Sequence, residues 1–160
     1  GRQPVRHRSG HPGFVPYEAF AAADAPLLVC CGNDRLFAKL AQELGRPRWP
    51  ADERFATNRA RLANKAALFE ELVPLLKSRP RAEWLDRFER AGVPCAPIHS
   101  LPEAVAHPQV QALGILQALP GADMRLTGLP FTVDGQRPLP RAVAPRLGEH
   151  NPRHGLPPVS

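Results

Sequence analysis

Lysine is scarce in this chain of 160 residues, and its positive charge comes almost entirely from arginine. Only Lys39, Lys65 and Lys77 are lysines, and the arginines behind the net charge of +6 are scattered along the chain. No cluster of aromatic residues accompanies them, so the stacking platform of a nucleic-acid-binding protein is not indicated. The use of arginine in place of lysine, with abundant alanine and proline, is typical of a GC-rich genome. A basic surface would also suit an acidic ligand.

Cysteine is equally scarce. The three cysteines, Cys30, Cys31 and Cys95, form no Cys-x-x-Cys pair, which argues against a zinc site. Their number is odd, which argues against a disulfide framework. We therefore expect a reducing, cytoplasmic environment. Among the six histidines, His150 and His154 have a helical spacing but lie among proline and glycine residues, so no metal site is expected.

Long apolar runs are absent too. No stretch approaches the roughly 20 apolar residues that span a bilayer. Residues 1–15 contain neither a charged-then-apolar leader nor a predicted element, and the chain begins with Gly1 rather than methionine. We expect a soluble protein with no membrane partner, and a chain that is a fragment of a longer one.

The hydrophobic pattern predicts a strand followed by helices. The apolar run at 27–31 predicts a buried strand, which is the first element that we expect. Asn33 or Asp34 can cap a helix that ends at Gly45. The stretch RPRWPADERFATNRARLANK has no sustained period and predicts a loop. A second helix is predicted over 64–77, with Pro74 kinking or interrupting it.

The remaining pattern is more varied. Ser78 can cap a third helix, which ends at Gly92. The stretch 93–98 contains two prolines, which predicts an edge strand or an extended segment. Ser100 and Glu103 form a capping-box pair that opens a short helix, and the last third predicts a hairpin. The whole pattern predicts an α/β or α+β fold.

Several segments occur together in one order. They are HPGFVPYEAFAAAD, GNDRLFAKLAQELG, DERFATNRARLANKAALFEEL, AEWLDRFERAGVPCAPIHSLPEAVAHPQV, LPFTV and RLGEHN. In this order and spacing the chain resembles, over residues 10–151, the family III coenzyme A transferases. That family includes formyl-CoA and carnitine CoA-transferases and α-methylacyl-CoA racemases. Relatives usually have Asp-Gly where this chain has Asp24 and Ala25, and the glycine-rich loop of formyl-CoA transferases is not evident.

The resemblance implies a larger, two-domain protein. It implies a large domain with a doubly wound α/β core, a smaller α+β domain, and two subunits interlocked as rings, so the expected protein partner is a second copy. On this basis we expect residues 1–25 to be a linker from the missing large domain. Residues 26–112 are then the small domain, and residues 113–160 return towards the large domain.

The resemblance also implies transfer of CoA between an acyl-CoA and a carboxylic acid. An aspartate of the amino-terminal half attacks the acyl-CoA, and an acceptor carboxylate resolves the resulting aspartyl-CoA thioester. The CoA thioester is a substrate, and no permanently bound cofactor is implied. Because no residue of this chain matches that aspartate, we expect the isolated chain to be inactive. The alternatives are a fragment of a CoA-thioester racemase, a small-domain remnant without catalysis, and a basic nucleic-acid-binding module.

Four residues are candidates for the site. Asn33 and Asp34 are pocket candidates, since racemase relatives carry a glutamate at the position of Asp34, although either residue can instead serve as a helix cap. Arg59 and Arg61 are candidates for binding CoA, because arginine grips phosphate or carboxylate bidentately, but they can also tie the loop to a neighbouring helix. The cysteines are not expected to be nucleophiles, because buried cysteine behaves as a small apolar residue.

Overall fold

The computed structural model describes residues 6–157, and the chain divides into two compact units. The amino-terminal unit is Gly1–Ile98 and the carboxy-terminal unit is His99–Ser160. The elements of the first unit are β1 (Tyr17–Ala21), β2 (Pro26–Cys30), α1 (Asp34–Glu43), α2 (Asn58–Ala63), α3 (Lys65–Lys77), α4 (Arg81–Ala91) and β3 (Cys95–Pro97). Those of the second are α5 (Leu101–Ala106), α6 (Pro108–Ala112), β4 (Leu116–Ala118) and β5 (Arg125–Thr127). Short 3-10 turns occur at Trp49–Ala51 and Asn151–His154. This mixture of helices and strands confirms the predicted fold class.

An antiparallel sheet with β2 in its centre organises the amino-terminal unit. Leu27 and Val29 of β2 are fully buried, whereas Leu28 and Cys30 are partly exposed. This alternation follows from the pleat of a strand, which points successive side chains to opposite faces. The prediction of a buried strand here is confirmed.

β1 precedes that strand in the chain, so the prediction that the run at 27–31 is the first element is wrong. Among the side chains of β1 only Phe20 is buried, and its ring packs against Phe69 at 5.1 Å. The strand forms because it pairs with β2 along its whole length. With a single buried side chain, it has no alternation of apolar and polar residues by which the sequence could reveal it. The boundaries predicted for the linker and the two domains stay a prediction.

Helices α1, α3 and α4 each contribute buried residues to the core. α3 packs against β1, α4 packs against β2 and β3, and α1 packs against α4. Five aromatic residues are among the buried residues of this core: Phe37, Trp49, Phe55, Trp84 and Phe88.

α2 lies in the stretch that was predicted to be a loop, and that prediction is wrong. Thr57 begins the helix, since its Oγ1 accepts a hydrogen bond from the N–H of Ala60 at 3.1 Å. Arg61 is the buried residue of this short helix. Because the buried position is charged rather than apolar, the helix has no hydrophobic period to reveal it.

Pro74 does not interrupt α3, and the cap of α4 differs from prediction. α3 continues through Pro74, which is exposed like Glu70, so water can reach the carbonyl that the proline leaves unbonded. Ser78 does not cap α4, because its hydroxyl donates to the carbonyl of Leu75 at the end of α3. The first N–H of α4, that of Arg81, instead donates to Oδ1 of Asp24 at 2.7 Å. This bond is the main cause that lowers the pKa of Asp24.

The carboxy-terminal unit follows its local signals closely. Ser100 and Glu103 form the predicted capping box, in which the N–H of Ser100 donates to Oε2 of Glu103 at 2.7 Å. β4 and β5 form the predicted antiparallel hairpin. Within residues 6–157, no helix is long and apolar enough to cross a membrane.

Candidate functional site

The turn between β2 and α1 contains the two pocket candidates, Asn33 and Asp34. Oδ1 of Asn33 accepts a hydrogen bond from the N–H of Leu36 at 2.9 Å, so Asn33 is the cap of α1. Gly32 precedes it, and a Cβ atom placed on this glycine would meet no atom within 4 Å. The turn therefore has free space beside it.

Asp34 is engaged by Arg61 rather than by the helix end. Nη2 of Arg61 donates to Oδ1 of Asp34 at 2.8 Å. The Arg61 side chain is 0% exposed and the Asp34 side chain is 54% exposed, so a buried cation has a counter-charge at the surface. A buried cation needs both a counter-charge and hydrogen-bond acceptors, and Arg61 has both.

Two further bonds fix the Arg61 guanidinium. Nε donates to the carbonyl of Val15 at 2.7 Å, and Nη1 donates to the carbonyl of Phe55 at 2.9 Å. The guanidinium carbon also lies 4.2 Å from the centre of the Phe37 ring, a distance typical of a cation–π contact. Arg61 thus ties together the chain before β1, the loop before α2, and the first turn of α1.

Arg59 does not share this arrangement. Its side chain is exposed, and within the described part of the chain it has no hydrogen bond or ion pair. Residues two positions apart on a helix point in different directions, so only Arg61 faces the turn. The structure brings Asn33, Asp34 and Arg61 together, and it does not bring Arg59 to them.

Asn58 is a residue of this cluster that the sequence analysis missed. Its Nδ2 donates to the carbonyl of Gly13 at 2.8 Å, and its Oδ1 accepts from the N–H of Val15 at 3.1 Å. Asn58 and Arg61 are three positions apart, so they lie on one face of α2 and together hold residues 13–15. That spacing of polar residues was the signal available in the sequence.

Phe14 lies between the two anchored residues of this segment. Phe14 is 37% exposed, and its ring lies 4.8 Å from the ring of His11. The His11 ring also lies 5.3 Å from that of Tyr17. The segment that Arg61 holds beside Asp34 therefore carries a partly exposed aromatic surface.

The three cysteines are poor candidates for nucleophiles. Burial raises the pKa of the Cys31 thiol to about 12, and it is also the main cause that raises the pKa of Cys30 and Cys95. The thiolate is the reactive form, so these thiols stay protonated and unreactive at neutral pH.

Raising the pH should destabilise the fold through Cys31. An unfolded thiol releases its proton near its ordinary pKa of 9.0, whereas the folded Cys31 thiol keeps its proton until about 12. Between these values the unfolded state binds fewer protons, so the free energy of unfolding falls as the pH rises. We expect Cys31→Ala to show a smaller fall than the wild type in urea unfolding across this range. An equal fall in both proteins would contradict the assignment.

A groove of about 460 Å³ in the amino-terminal unit lies elsewhere, beside α1 and α4. Its charged lining is balanced, with Glu43 and Glu83 beside Arg87 and Arg90. Nε of Arg87 lies 3.2 Å from Oε2 of Glu43, so charge is neutralised within the groove. It includes none of the residues of the β2–α1 turn. Within residues 6–157, no group of three or more histidine, cysteine, aspartate or glutamate side chains is arranged to hold a metal ion.

The chain is similar to known proteins along nearly all its length, and residues 1–151 match the model of CoA-transferase family III. The acetyl-CoA:oxalate CoA-transferase of Acetobacter aceti is 37% identical over 150 residues, which are 93% of this chain and 38% of that protein. The succinate–glutarate CoA-transferase of Agrobacterium fabrum is 36% identical over 154 residues, which are 94% of this chain and 38% of that protein.

A solved structure agrees. The crystal structure of a CAIB/BAIF family protein from Brucella suis matches with a TM-score of 0.78 and 33% identity, covering 96% of this chain and 40% of that one. The chain thus spans 38% of the length of the two curated relatives. On the family match and these likenesses, the chain belongs to CoA-transferase family III.

Proposed function

We propose that this chain is the carboxy-terminal portion of an enzyme that transfers CoA from an acyl-CoA to a carboxylic acid. The family match over residues 1–151 carries the proposal. Two relatives that are 37% and 36% identical are both CoA-transferases, which favours transfer over racemisation. CoA thioesters are then the substrates, and the acceptors to test first are oxalate and glutarate.

The proposed route passes through an aspartyl-CoA thioester whose aspartate lies outside these residues. Asp34 and Asp52 are paired with arginines, and Asp24 accepts hydrogen bonds from backbone N–H groups. These three carboxylates have structural roles, and the family resemblance puts the nucleophilic aspartate in the amino-terminal half of the complete enzyme. In the same proposal the complete enzyme is a cytoplasmic homodimer and the isolated chain is inactive.

A chimeric enzyme tests the proposal. The matching part of the Acetobacter aceti enzyme is replaced by this chain, and transfer of CoA from acetyl-CoA to oxalate or glutarate is followed by liquid chromatography. We expect transfer by the chimera and none by the 160-residue chain alone. Hydroxylamine added during turnover should attack the aspartyl-CoA thioester, releasing CoA and leaving an aspartyl hydroxamate, which mass spectrometry would locate outside this chain.

The alternatives predict different results. A racemase would exchange the α-proton of a 2-methylacyl-CoA in heavy water without transferring CoA, and a remnant without catalysis would do neither. The control is a chimera built with the Agrobacterium fabrum segment, which shows that the junctions permit folding. A folded chimera that transfers no CoA while this control does would overturn the proposal.

A further inference from the structure

A cavity of about 230 Å³ lies beside the β4–β5 hairpin of the carboxy-terminal unit. Its apolar wall includes Leu126, Leu129 and Leu139, and its polar lining residues are Gln117 and Thr127. A wall of this composition suits a small ligand that has an apolar body and one polar end.

Gln117 is a buried polar residue without a partner. It is 7% exposed, and it pairs with Leu126 across the hairpin, so the two side chains lie on the same face. Within residues 6–157, its side-chain amide makes no hydrogen bond. Buried amides are nearly always bonded, because burial removes the water that would otherwise bond to them. The unbonded amide at the cavity wall is therefore a ready donor for a ligand in the cavity.

Arg137 lies against Gln117 and has an unbonded donor of its own. A Cβ atom placed on Gly128 would lie 2.7 Å from Cδ of Arg137 and 2.9 Å from Nε2 of Gln117, so the two side chains converge on this glycine. Nη1 of Arg137 donates to the carbonyl of Leu129, and Nη2 donates to that of Leu113 at 3.5 Å. Nε is buried without an acceptor, and in the described part of the chain the guanidinium has no acidic partner. Two neighbouring donors, one of them cationic, therefore lack acceptors.

The charge around these donors favours an anion. Among the residues that the structure describes, no acidic side chain lines this cavity, or the adjoining one of about 370 Å³ that Arg137 and Arg141 line. The two cavities share Pro138 and Leu139. A guanidinium that is partly withdrawn from water is stabilised by a counter-charge, and an anionic ligand would supply it.

A carboxylate has the shape that two such donors need. It is planar and has two acceptor oxygens, so one oxygen can accept from Nε2 of Gln117 while the other accepts from Nε of Arg137. An inorganic anion such as phosphate would leave the leucine wall without an apolar partner, whereas the hydrocarbon chain of a short aliphatic acid buries against it. The cavity therefore selects for one negative charge on a small apolar body.

We propose that the cavity beside the β4–β5 hairpin binds a short aliphatic carboxylic acid in its ionised form, with Gln117 and Arg137 as the donors. Because Nε of Arg137 is closed to solvent, the Gln117 side chain turns as the acid enters. The inference goes beyond the proposed function, since both donors belong to the carboxy-terminal unit and the site needs no catalytic aspartate.

Titration of the 160-residue chain with butanoate, followed by nitrogen-15 NMR, tests the proposal. We expect saturable shifts of the Gln117 side-chain amide, the Arg137 Nε–H signal and the backbone amide of Gly128. Butanamide has the same shape without the charge, so it should bind at least about tenfold more weakly. An absence of saturable shifts at these groups, or equal affinity for butanoate and butanamide, would overturn the proposal.

Two variants of Gln117 separate recognition from packing. Gln117→Met keeps the length of the side chain but has no N–H donor, so butanoate binding should weaken about tenfold or more. Gln117→Glu places a carboxylate beside Arg137, so this variant should no longer bind butanoate. The matched control is Gln109→Glu, which makes the same change at an exposed residue of α6 in the same unit and should bind as the wild type does.

A purely structural role for Gln117 would give another result. If its side chain only fills space, Gln117→Met would bind butanoate with the affinity of the wild type, whatever its stability. That outcome, or equal effects of Gln117→Glu and Gln109→Glu, would contradict the proposal. Dispersed NMR signals show that each variant is folded. The comparison of butanoate with butanamide uses the wild-type chain, so it decides the question even where a variant does not fold.

Discussion

Replacing Arg61 with alanine is expected to lower the free energy of unfolding of the amino-terminal unit by about 3–5 kcal/mol. The buried guanidinium donates to the carbonyls of Val15 and Phe55 and to Asp34. Alanine leaves both carbonyls without their donor and opens a cavity beside the Phe37 ring. Domains are stable by only about 5–15 kcal/mol, so this is a large fraction of the total. Urea unfolding followed by tryptophan fluorescence measures the change.

Arg90→Ala is the matched control for Arg61→Ala. Arg90 also pairs with an aspartate, Asp86, but both side chains of that pair are well exposed. Exposed ion pairs contribute about 0–1 kcal/mol, so this variant should remain close to the wild type. Arg61→Lys should lie between the two alanine variants. Equal losses for Arg61→Ala and Arg90→Ala would show that burial of the guanidinium contributes nothing.

Replacing Phe88 with alanine should also lower the free energy of unfolding by about 3–5 kcal/mol. Phe88 lies on α4 with no exposed surface, and its ring stacks on that of Trp84 with centres 5.3 Å apart. The substitution removes a large apolar side chain from the place where α4 meets the sheet, and close-packed surroundings do not relax enough to fill the cavity.

Leu62→Ala provides the comparison on a partly exposed apolar residue. Leu62 lies on α2 of the same unit, outside the buried core. We expect its loss to change the free energy of unfolding by about 0.5 kcal/mol or less. The contrast between the two variants measures burial, since both replace an apolar side chain in a helix. A loss for Phe88→Ala no greater than that for Leu62→Ala would place Phe88 outside the core.

Elements whose ends carry their own signals were predictable from the sequence. The cap at Asn33 and the capping box of Ser100 and Glu103 each need only residues a few positions apart, so the local pattern contains the whole interaction. The sequence did not reveal β1 and α2, because the contacts that stabilise these two elements are made with residues elsewhere in the chain. β1 is held by pairing with β2, and α2 buries an arginine that binds other segments.

The first turn of α4 shows the same difference. A local rule assigned its cap to Ser78, two residues before Pro80, where the helix cap lies. The carboxylate of Asp24, 57 positions away, accepts the N–H of Arg81 instead. No rule about neighbouring residues can find a partner at that separation, because folding alone brings the two groups together.

By itself the sequence determined the family resemblance, the fold class and the candidate residues Asn33, Asp34, Arg59 and Arg61. Ordered segments and residue types are properties of the chain that need no coordinates. Only the tertiary structure decided that Arg61 and not Arg59 reaches Asp34, across 27 positions of the chain. The reason is physical: a buried guanidinium must find acceptors for its N–H groups, and in this fold those acceptors lie on three separate segments.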